Sequence, residues 1–314
     1  MTVMPRRAPA TTGVFCILAI AALGADSPQV SIKARNPSAG VLPNIRVDSN
    51  LVLIPVSVTD PKNRAVTGLR REDFRVFEGK AEQTLVQFAR EDAPLSVGIV
   101  FDSSGSMQNK LAKAREAVKR FLAAANPEDE FFLVNFNSTA KLAVAFTSDP
   151  DEIERHLYSA QSHGRTALLD AVCLAIDYMR NAHNSRKALL VISDGGDNDS
   201  RYTEAEIRRR VIESDLWIYT LGIYDTRGIM LPEEDHGEVL MQTLAEQSGA
   251  RHIAVGNTAD LPQIAENIGL ELRNQYVIGY RPATSSPGKY HHVQVKVADH
   301  REYRVAWRPG YFEP

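Results

Sequence analysis

The sequence is poor in cysteine, with only Cys16 and Cys173 among 314 residues. Two cysteines cannot form a disulfide framework, and Cys16 lies in a leader that we expect to be removed. Cys173 falls within an apolar helical pattern, so we interpret it as a small buried side chain rather than a nucleophile. The fold must therefore be stabilised by a hydrophobic core, for which a hydrophobic content of 44% is ordinary.

The sequence also lacks a strong excess of charge of either sign. It contains 36 Lys and Arg and 39 Asp and Glu residues, for a net charge of −3. Removal of the leader takes away Arg6 and Arg7 and leaves about −5, which gives no electrostatic basis for binding nucleic acid. The chain has no Walker loop, no Rossmann glycine fingerprint, no G-x-S-x-G elbow and no C-x-x-C pair. These absences argue against nucleotide-binding, serine-hydrolase and dithiol chemistry.

Long apolar runs are confined to the first 25 residues, which resemble a secretory signal peptide. Their apolar core, 13–23, is too short to span a bilayer comfortably, and we expect cleavage after Gly24 or Ala25. An uncleaved anchor is the alternative, whereas Asp26 after the expected cut does not support a lipoprotein. We therefore expect an exported protein that is periplasmic, on the cell surface or extracellular, with no membrane span in the mature chain.

After this leader, changes in composition and in the spacing of apolar residues divide the chain into a linker, an α/β domain and two flanking β segments. Strands of the flanking segments are short, and two or three strands alone are marginal in water. We therefore predict that both segments pair into one small β-sandwich-like domain, into which the α/β domain is inserted. The predicted parts are a signal peptide (1–25), a flexible linker (26–45), a β segment (46–92), the α/β domain (93–273) and a second β segment (274–314).

Within residues 93–273, apolar runs typical of buried strands alternate with amphipathic helical patterns. This alternation predicts an α/β fold with a doubly wound, mostly parallel, Rossmann-like sheet. The predicted strands are 95–101, 131–136, 141–146, 188–193, 216–223 and 251–255. The predicted helices are 111–122, 149–160, 167–180, 239–247 and 261–273, with one more after the capping box of Thr203 and Glu206.

The first buried strand ends in Asp102, Ser104 and Ser106, spaced as D-x-S-x-S. One carboxylate and two hydroxyls are hard oxygen ligands that suit Mg²⁺ or Mn²⁺. Helix capping explains the same residues without a metal. Thr166 before a helix and Asp194 after the next buried strand add oxygen side chains, and a doubly wound sheet brings such junctions to one edge.

These residues resemble the von Willebrand factor type A domain with its metal-ion-dependent adhesion site, over about residues 94–273. The resemblance is carried by Phe101-Asp102-Ser103-Ser104-Gly105-Ser106-Met107, Gly164-Arg165-Thr166-Ala167-Leu168 and Ile192-Ser193-Asp194-Gly195. It implies that Ser104 and Ser106 coordinate Mg²⁺ directly, that Thr166 does so directly or through water, and that Asp102 and Asp194 hold the metal's waters. The flanking segments also resemble those of a class of exported bacterial proteins carrying such a domain.

The resemblance implies a metal-dependent protein-binding or adhesion module, not an enzyme, in which an Asp or Glu of a partner completes the metal's shell. A metal-assisted hydrolase at the same site and a metal-free structural scaffold are the alternatives. A hydrolase would need a base, and pairing His163 with Ser104 rests only on the fact that each residue lies in or beside one of these motifs. Asp170, one turn beyond Thr166, is open to two interpretations, a position near the metal or a surface residue.

Overall fold

A computed structural model of the chain describes residues 51–224, 232–282, 288–298 and 302–313. The predicted signal peptide and linker, and the start of the 46–92 segment, lie outside the described residues. The strands are β1 (Val52–Thr59), β2 (Phe74–Glu78), β3 (Ala81–Gln83), β4 (Leu85–Glu91), β5 (Leu95–Asp102), β6 (Glu130–Phe136), β7 (Ala140–Thr147), β8 (Arg186–Ser193), β9 (Trp217–Ile223), β10 (His252–Val255), β11 (Gln275–Tyr280), β12 (Tyr290–Val297), β13 (Arg304–Trp307) and β14 (Gly310–Phe312). The α-helices are α1 (Leu111–Leu122), α2 (Pro150–Ser159), α3 (Leu168–Tyr178), α4 (Glu204–Glu213), α5 (Pro232–Ser248) and α6 (Leu261–Arg273).

The α/β domain is built on a six-stranded sheet in the order β10-β9-β8-β5-β6-β7. All neighbouring pairs are parallel except β6 and β7, which are antiparallel. Helices α1, α2 and α6 contribute to the core on one face, and α3, α4 and α5 to the core on the other. The central strand β5 is therefore buried along its whole length, which explains its nearly continuous apolar sequence.

The predicted fold class is confirmed, while one helix boundary was wrong. We predicted a helix over 239–247, but α5 begins at Pro232. Proline is favoured in the first turn of a helix, where its missing N–H costs nothing, and this signal was overlooked. Gly237, near the start of α5, lies against Gly195 in the loop that follows β8.

The flanking segments form two four-stranded sheets, and each sheet contains strands from both ends of the chain. One has the order β13-β1-β11-β4 and the other β14-β12-β2-β3. In the first, β1 and β11 are antiparallel with Ile54 opposite Ile278. Both sheets share one apolar core, to which Val56 of the first and Val76 of the second belong. We call these two sheets together the β domain.

A buried network around an ion pair of the α/β domain connects this domain to the β domain. Glu271 of α6 is 1% exposed and pairs with Arg251, which precedes β10. Its carboxylate also accepts hydrogen bonds from Ser57 of β1 at 2.6 Å and from Tyr219 of β9 at 2.9 Å. The last helix of the α/β domain is therefore held directly against the first strand of the β domain.

Among the described residues, no helix has both the length and the apolar character needed to cross a membrane. The longest helix, α5, has 17 residues and carries several charges. The helices of the described chain instead use their apolar sides to cover the six-stranded sheet.

Candidate metal centre

Two adjacent strands of the six-stranded sheet end side by side at the candidate metal centre. Strands β5 and β8 are parallel, with Phe101 opposite Ile192 in register. Asp102 is the last residue of β5, and Asp194 comes directly after the end of β8. The carboxyl ends of these strands therefore bring together two acidic residues that are 92 positions apart in the sequence.

The Asp102 carboxylate lies in the interior, at 0% exposure. One of its oxygens accepts a hydrogen bond from the backbone N–H of Ser104 at 2.8 Å, and the other from the hydroxyl of Ser193 at 2.6 Å. Burial, followed by the negative charge of Asp194, raises the pKa of Asp102 to about 7, although these hydrogen bonds oppose the shift. Two buried carboxylates that repel one another favour a nearby cation.

The hydroxyl oxygens of Ser104 and Ser106 lie 3.1 Å apart, within hydrogen-bond distance of each other. An octahedral Mg²⁺ with bonds of roughly 2.0–2.1 Å places neighbouring oxygens about 2.9 Å apart, close to this separation. Ser104 is buried and Ser106 is exposed. The pair therefore spans the boundary between the sheet and the solvent, where a partner can reach.

The loop that carries Thr166 is hydrogen-bonded to the loop that follows Asp102. The backbone N–H of Gly105 donates to the carbonyl of Gly164 at 3.0 Å, and the N–H of His163 donates to the carbonyl of Ser103 at 3.0 Å. Gly164 has a φ of +79°, which glycine adopts without strain. Thr166, 4% exposed, is thereby positioned at the same end of the sheet.

Thr166 is also tied to the loop after β8. Its backbone N–H donates to the side-chain oxygen of Asn198 at 3.0 Å, and its carbonyl accepts from the backbone N–H groups of Asn198 and Asp199 at 2.9 and 3.1 Å. All three loops that carry predicted ligands are thus joined, directly or through a neighbour. The structure brings Asp102, Ser104, Ser106, Thr166 and Asp194 to one edge of the sheet.

Sequence reasoning missed two residues whose side chains contact the carboxylates of Asp102 and Asp194. The Lys110 ammonium lies 3.0 Å from the Asp194 carboxylate, and the Ser193 hydroxyl is bonded to Asp102. Ser193 could have been found, because it directly precedes Asp194 at the end of a buried strand. No local pattern marks Lys110, because its partner is 84 residues away.

The donor set at this edge consists of two carboxylates and three hydroxyls, all oxygen. In the part of the chain that the structure describes, no three His, Cys, Asp or Glu side chains are grouped to hold a metal ion. A cation here would depend on hydroxyl as well as carboxylate oxygens. Such a set fits the hard ions Mg²⁺ and Mn²⁺ and does not fit zinc, which prefers nitrogen and sulfur.

Two other residues considered from the sequence have structural contacts. The Asp170 carboxylate accepts hydrogen bonds from the backbone of Arg201 and Tyr202 and from the Arg201 side chain, so it holds the turn before α4. His163 contacts the Gln161 carbonyl through Nδ1 and the Asn137 amide through Nε2. Both ring nitrogens of His163 are thus engaged by groups other than Ser104.

Comparisons with known proteins agree with this architecture. Residues 97–196 match the family model described as von Willebrand factor type A domain. Inter-alpha-trypsin inhibitor heavy chain H2 of Homo sapiens is 25% identical over 249 residues, covering 72% of this chain and 25% of that protein. Heavy chain H4 of Bos taurus is 28% identical over 131 residues, covering 38% of this chain and 14% of that protein. The chain spans a quarter or less of the length of these relatives.

A solved structure described as von Willebrand factor type A from Catenulispora acidiphila shares the fold. Its TM-score is 0.51 at 13% identity, over 85% of this chain and 75% of that chain. The match places a von Willebrand factor type A domain at residues 97–196 of this chain. This is a family of protein-interaction and adhesion modules whose members commonly bind a divalent metal.

Proposed function

We propose that the protein is an exported, metal-dependent protein-binding module. In this proposal Mg²⁺ or Mn²⁺ is held by Asp102, Ser104, Ser106, Thr166 and Asp194, and a carboxylate of an Asp or Glu in a partner completes the shell. The observation that supports the proposal is that the residues carrying these five oxygen-bearing side chains lie in hydrogen-bonded loops at one sheet edge, two of them with hydroxyls 3.1 Å apart.

Each of the five residues has a defined part in this proposal. The hydroxyls of Ser104 and Ser106 would bind the ion directly, and Thr166 directly or through a water. Asp102 and Asp194 would hold waters of the ion, which suits carboxylates that already engage Ser193 and Lys110. With so few charged ligands in direct contact, the ion would remain electrophilic and would attract an outside carboxylate.

Metal binding is tested by calorimetric titration of the protein with MgCl₂ and MnCl₂. We expect binding to the wild type and its loss in Ser104→Ala, because the ion loses a direct ligand. Ser214→Ala is the matched control, since its hydroxyl bonds to the Val211 carbonyl at the end of α4. Absence of binding to the wild type at millimolar metal would favour the metal-free scaffold.

Partner recognition is tested with immobilised peptides that contain one Asp or Glu and matched peptides with Asn or Gln. We expect retention of the acidic peptides in Mg²⁺ or Mn²⁺, release by a chelator, and no retention of the amide peptides. Equal retention of both sets, or retention that survives chelation, would contradict metal-dependent recognition of a carboxylate. Cell fractionation tests export separately.

We also propose that the site binds and does not catalyse. A hydrolase would need a general base within reach of the metal's water or of Ser104. Both ring nitrogens of His163 have hydrogen-bond partners in Gln161 and Asn137, which supports a structural role for this residue rather than the role of a base. A panel of ester and phosphate substrates with Mg²⁺ or Mn²⁺ tests this, and turnover that Ser104→Ala removes would restore the hydrolase interpretation.

A further inference from the structure

Lys110 lies in the loop that carries Ser104 and Ser106 and reaches back to Asp194. Its ammonium nitrogen is 3.0 Å from a carboxylate oxygen of Asp194. The Lys110 side chain is 14% exposed and that of Asp194 is 4% exposed. This is therefore a largely buried ion pair within the candidate metal centre, where it is weakly screened by solvent.

The backbone holds Lys110 at this position. Its N–H donates to the carbonyl of Met107 at 2.9 Å, and its carbonyl accepts from the N–H of Ala114 at 3.0 Å in the first turn of α1. Lys113, one turn further, instead pairs with Glu116 at 2.7 Å, with both side chains 45% exposed. Of these two lysines near the start of α1, Lys110 therefore contacts the candidate metal centre, whereas Lys113 contacts a residue of its own helix.

We propose that Lys110 is a built-in counter-cation that competes with the divalent ion for Asp194. This inference rests on the proposed metal-binding function. The positive charge of Lys110 offsets the negative charge of Asp194, whereas a neutral residue at position 110 leaves that carboxylate charge without this compensation. Because the affinity of hard cations depends on the charge of their ligands, Lys110 lowers the affinity for the metal.

The same ion pair stabilises the protein without metal. A buried carboxylate that loses an ion-pair partner is destabilising, so a neutral residue at position 110 lowers the stability of the metal-free form. Added metal then replaces the missing positive charge. A lysine with a merely structural role would produce the loss of stability without any gain in metal affinity, so the two measurements together separate these roles.

The test is calorimetric titration of the full chain with MnCl₂, with thermal unfolding recorded in EDTA and in MnCl₂. The variants are Lys110→Met, the charge-preserving Lys110→Arg and the control Lys113→Met. We expect Lys110→Met to bind Mn²⁺ about ten-fold more tightly than the wild type, to melt at a lower temperature in EDTA and to be stabilised more by Mn²⁺. Lys110→Arg and Lys113→Met should remain close to the wild type.

Equal or weaker Mn²⁺ binding by Lys110→Met would overturn the inference and leave the proposed metal site intact. Binding by Lys110→Met but not by the wild type would support the counter-cation and contradict metal binding by the native chain. Absence of binding by both would overturn both proposals. Should Lys110→Met fail to fold, Lys110→Gln supplies a second neutral side chain, with a polar group that can still donate to Asp194.

Discussion

Asp102 shows how individual side chains define the candidate metal centre. Its two carboxylate oxygens accept hydrogen bonds from Ser104 and Ser193, yet burial and the charge of Asp194 still raise its pKa to about 7. Because a buried charge is costly even when it is hydrogen-bonded, each donor around Asp102 matters for stability. The hydroxyl of Ser193 is the shortest of these contacts, at 2.6 Å.

Ser193→Ala should therefore destabilise the metal-free protein. The change removes a buried donor to Asp102 and an acceptor for the N–H of Gly195, and we expect a loss of about 1–3 kcal/mol in the free energy of unfolding. Urea denaturation in EDTA measures it. Ser214→Ala, which removes a hydroxyl at the end of α4, should lower the free energy of unfolding by less. Equal decreases for the two variants would show that the stability of buried Asp102 does not depend on Ser193.

At the scale of elements, the start of α5 packs closely against the loop that carries Asp194. A Cβ added to Gly237 of α5 would lie 1.7 Å from the carbonyl oxygen of Gly195. Gly195 has a φ of +93°, so this loop already depends on glycine. The helix and the loop can approach each other only because both contact positions lack a side chain.

Gly237→Ala should displace the loop after β8. In an ordinary helix this change is favourable, but here the added methyl overlaps backbone, so we expect a loss of about 1–3 kcal/mol in stability. Mn²⁺ affinity should fall as Asp194 moves, if the metal site is as proposed. Denaturation and calorimetry measure the two effects.

Gly196→Ala is the matched control for this prediction. A Cβ at Gly196 meets no atom within 4 Å, although the residue lies next to Gly195 in the same loop. We expect little change in stability or in metal affinity. If both glycine variants behaved alike, the close contact between α5 and the loop would have no energetic importance.

For the whole molecule, the buried network around Glu271 connects the α/β domain with the β domain. Ser57 belongs to β1, Tyr219 to β9 and Glu271 to α6, and Arg251 supplies the balancing positive charge. The side chain of Glu271 is 0% exposed and that of Arg251 is 12% exposed. Because β1 pairs with β11, which directly follows α6, we expect both domains to unfold together.

Arg251→Met should leave the Glu271 carboxylate buried without its cation. We expect a loss of about 3–5 kcal/mol, measured by denaturation, and recovery of a large part of it in the double variant Arg251→Met, Glu271→Leu. Arg75→Met is the control, because the Arg75–Glu82 pair is about half exposed and should contribute less than about 1 kcal/mol. A small effect of Arg251→Met alone would show that the buried Glu271 carboxylate does not depend on Arg251 for its stability.

The fold class was predictable because its signals are local. The apolar run of 95–101 indicates a strand buried on both faces, and β5 is such a strand. The helical spacing of Leu111, Ala114, Val118 and Phe121 predicts one buried face, and these residues are buried in α1. The start of α5 was misplaced because charged residues at 233–235 obscured the signal of Pro232.

The sequence by itself determined the alternation of strands and helices, and it determined which oxygen-bearing residues follow the buried strands. Both depend on the chemistry of residues close together in the chain. Only the tertiary structure decided that Lys110 pairs with Asp194, that Ser193 holds Asp102, and that Glu271 connects two domains. These partners are 84 to 214 positions apart, and such pairing depends on how the packed elements align.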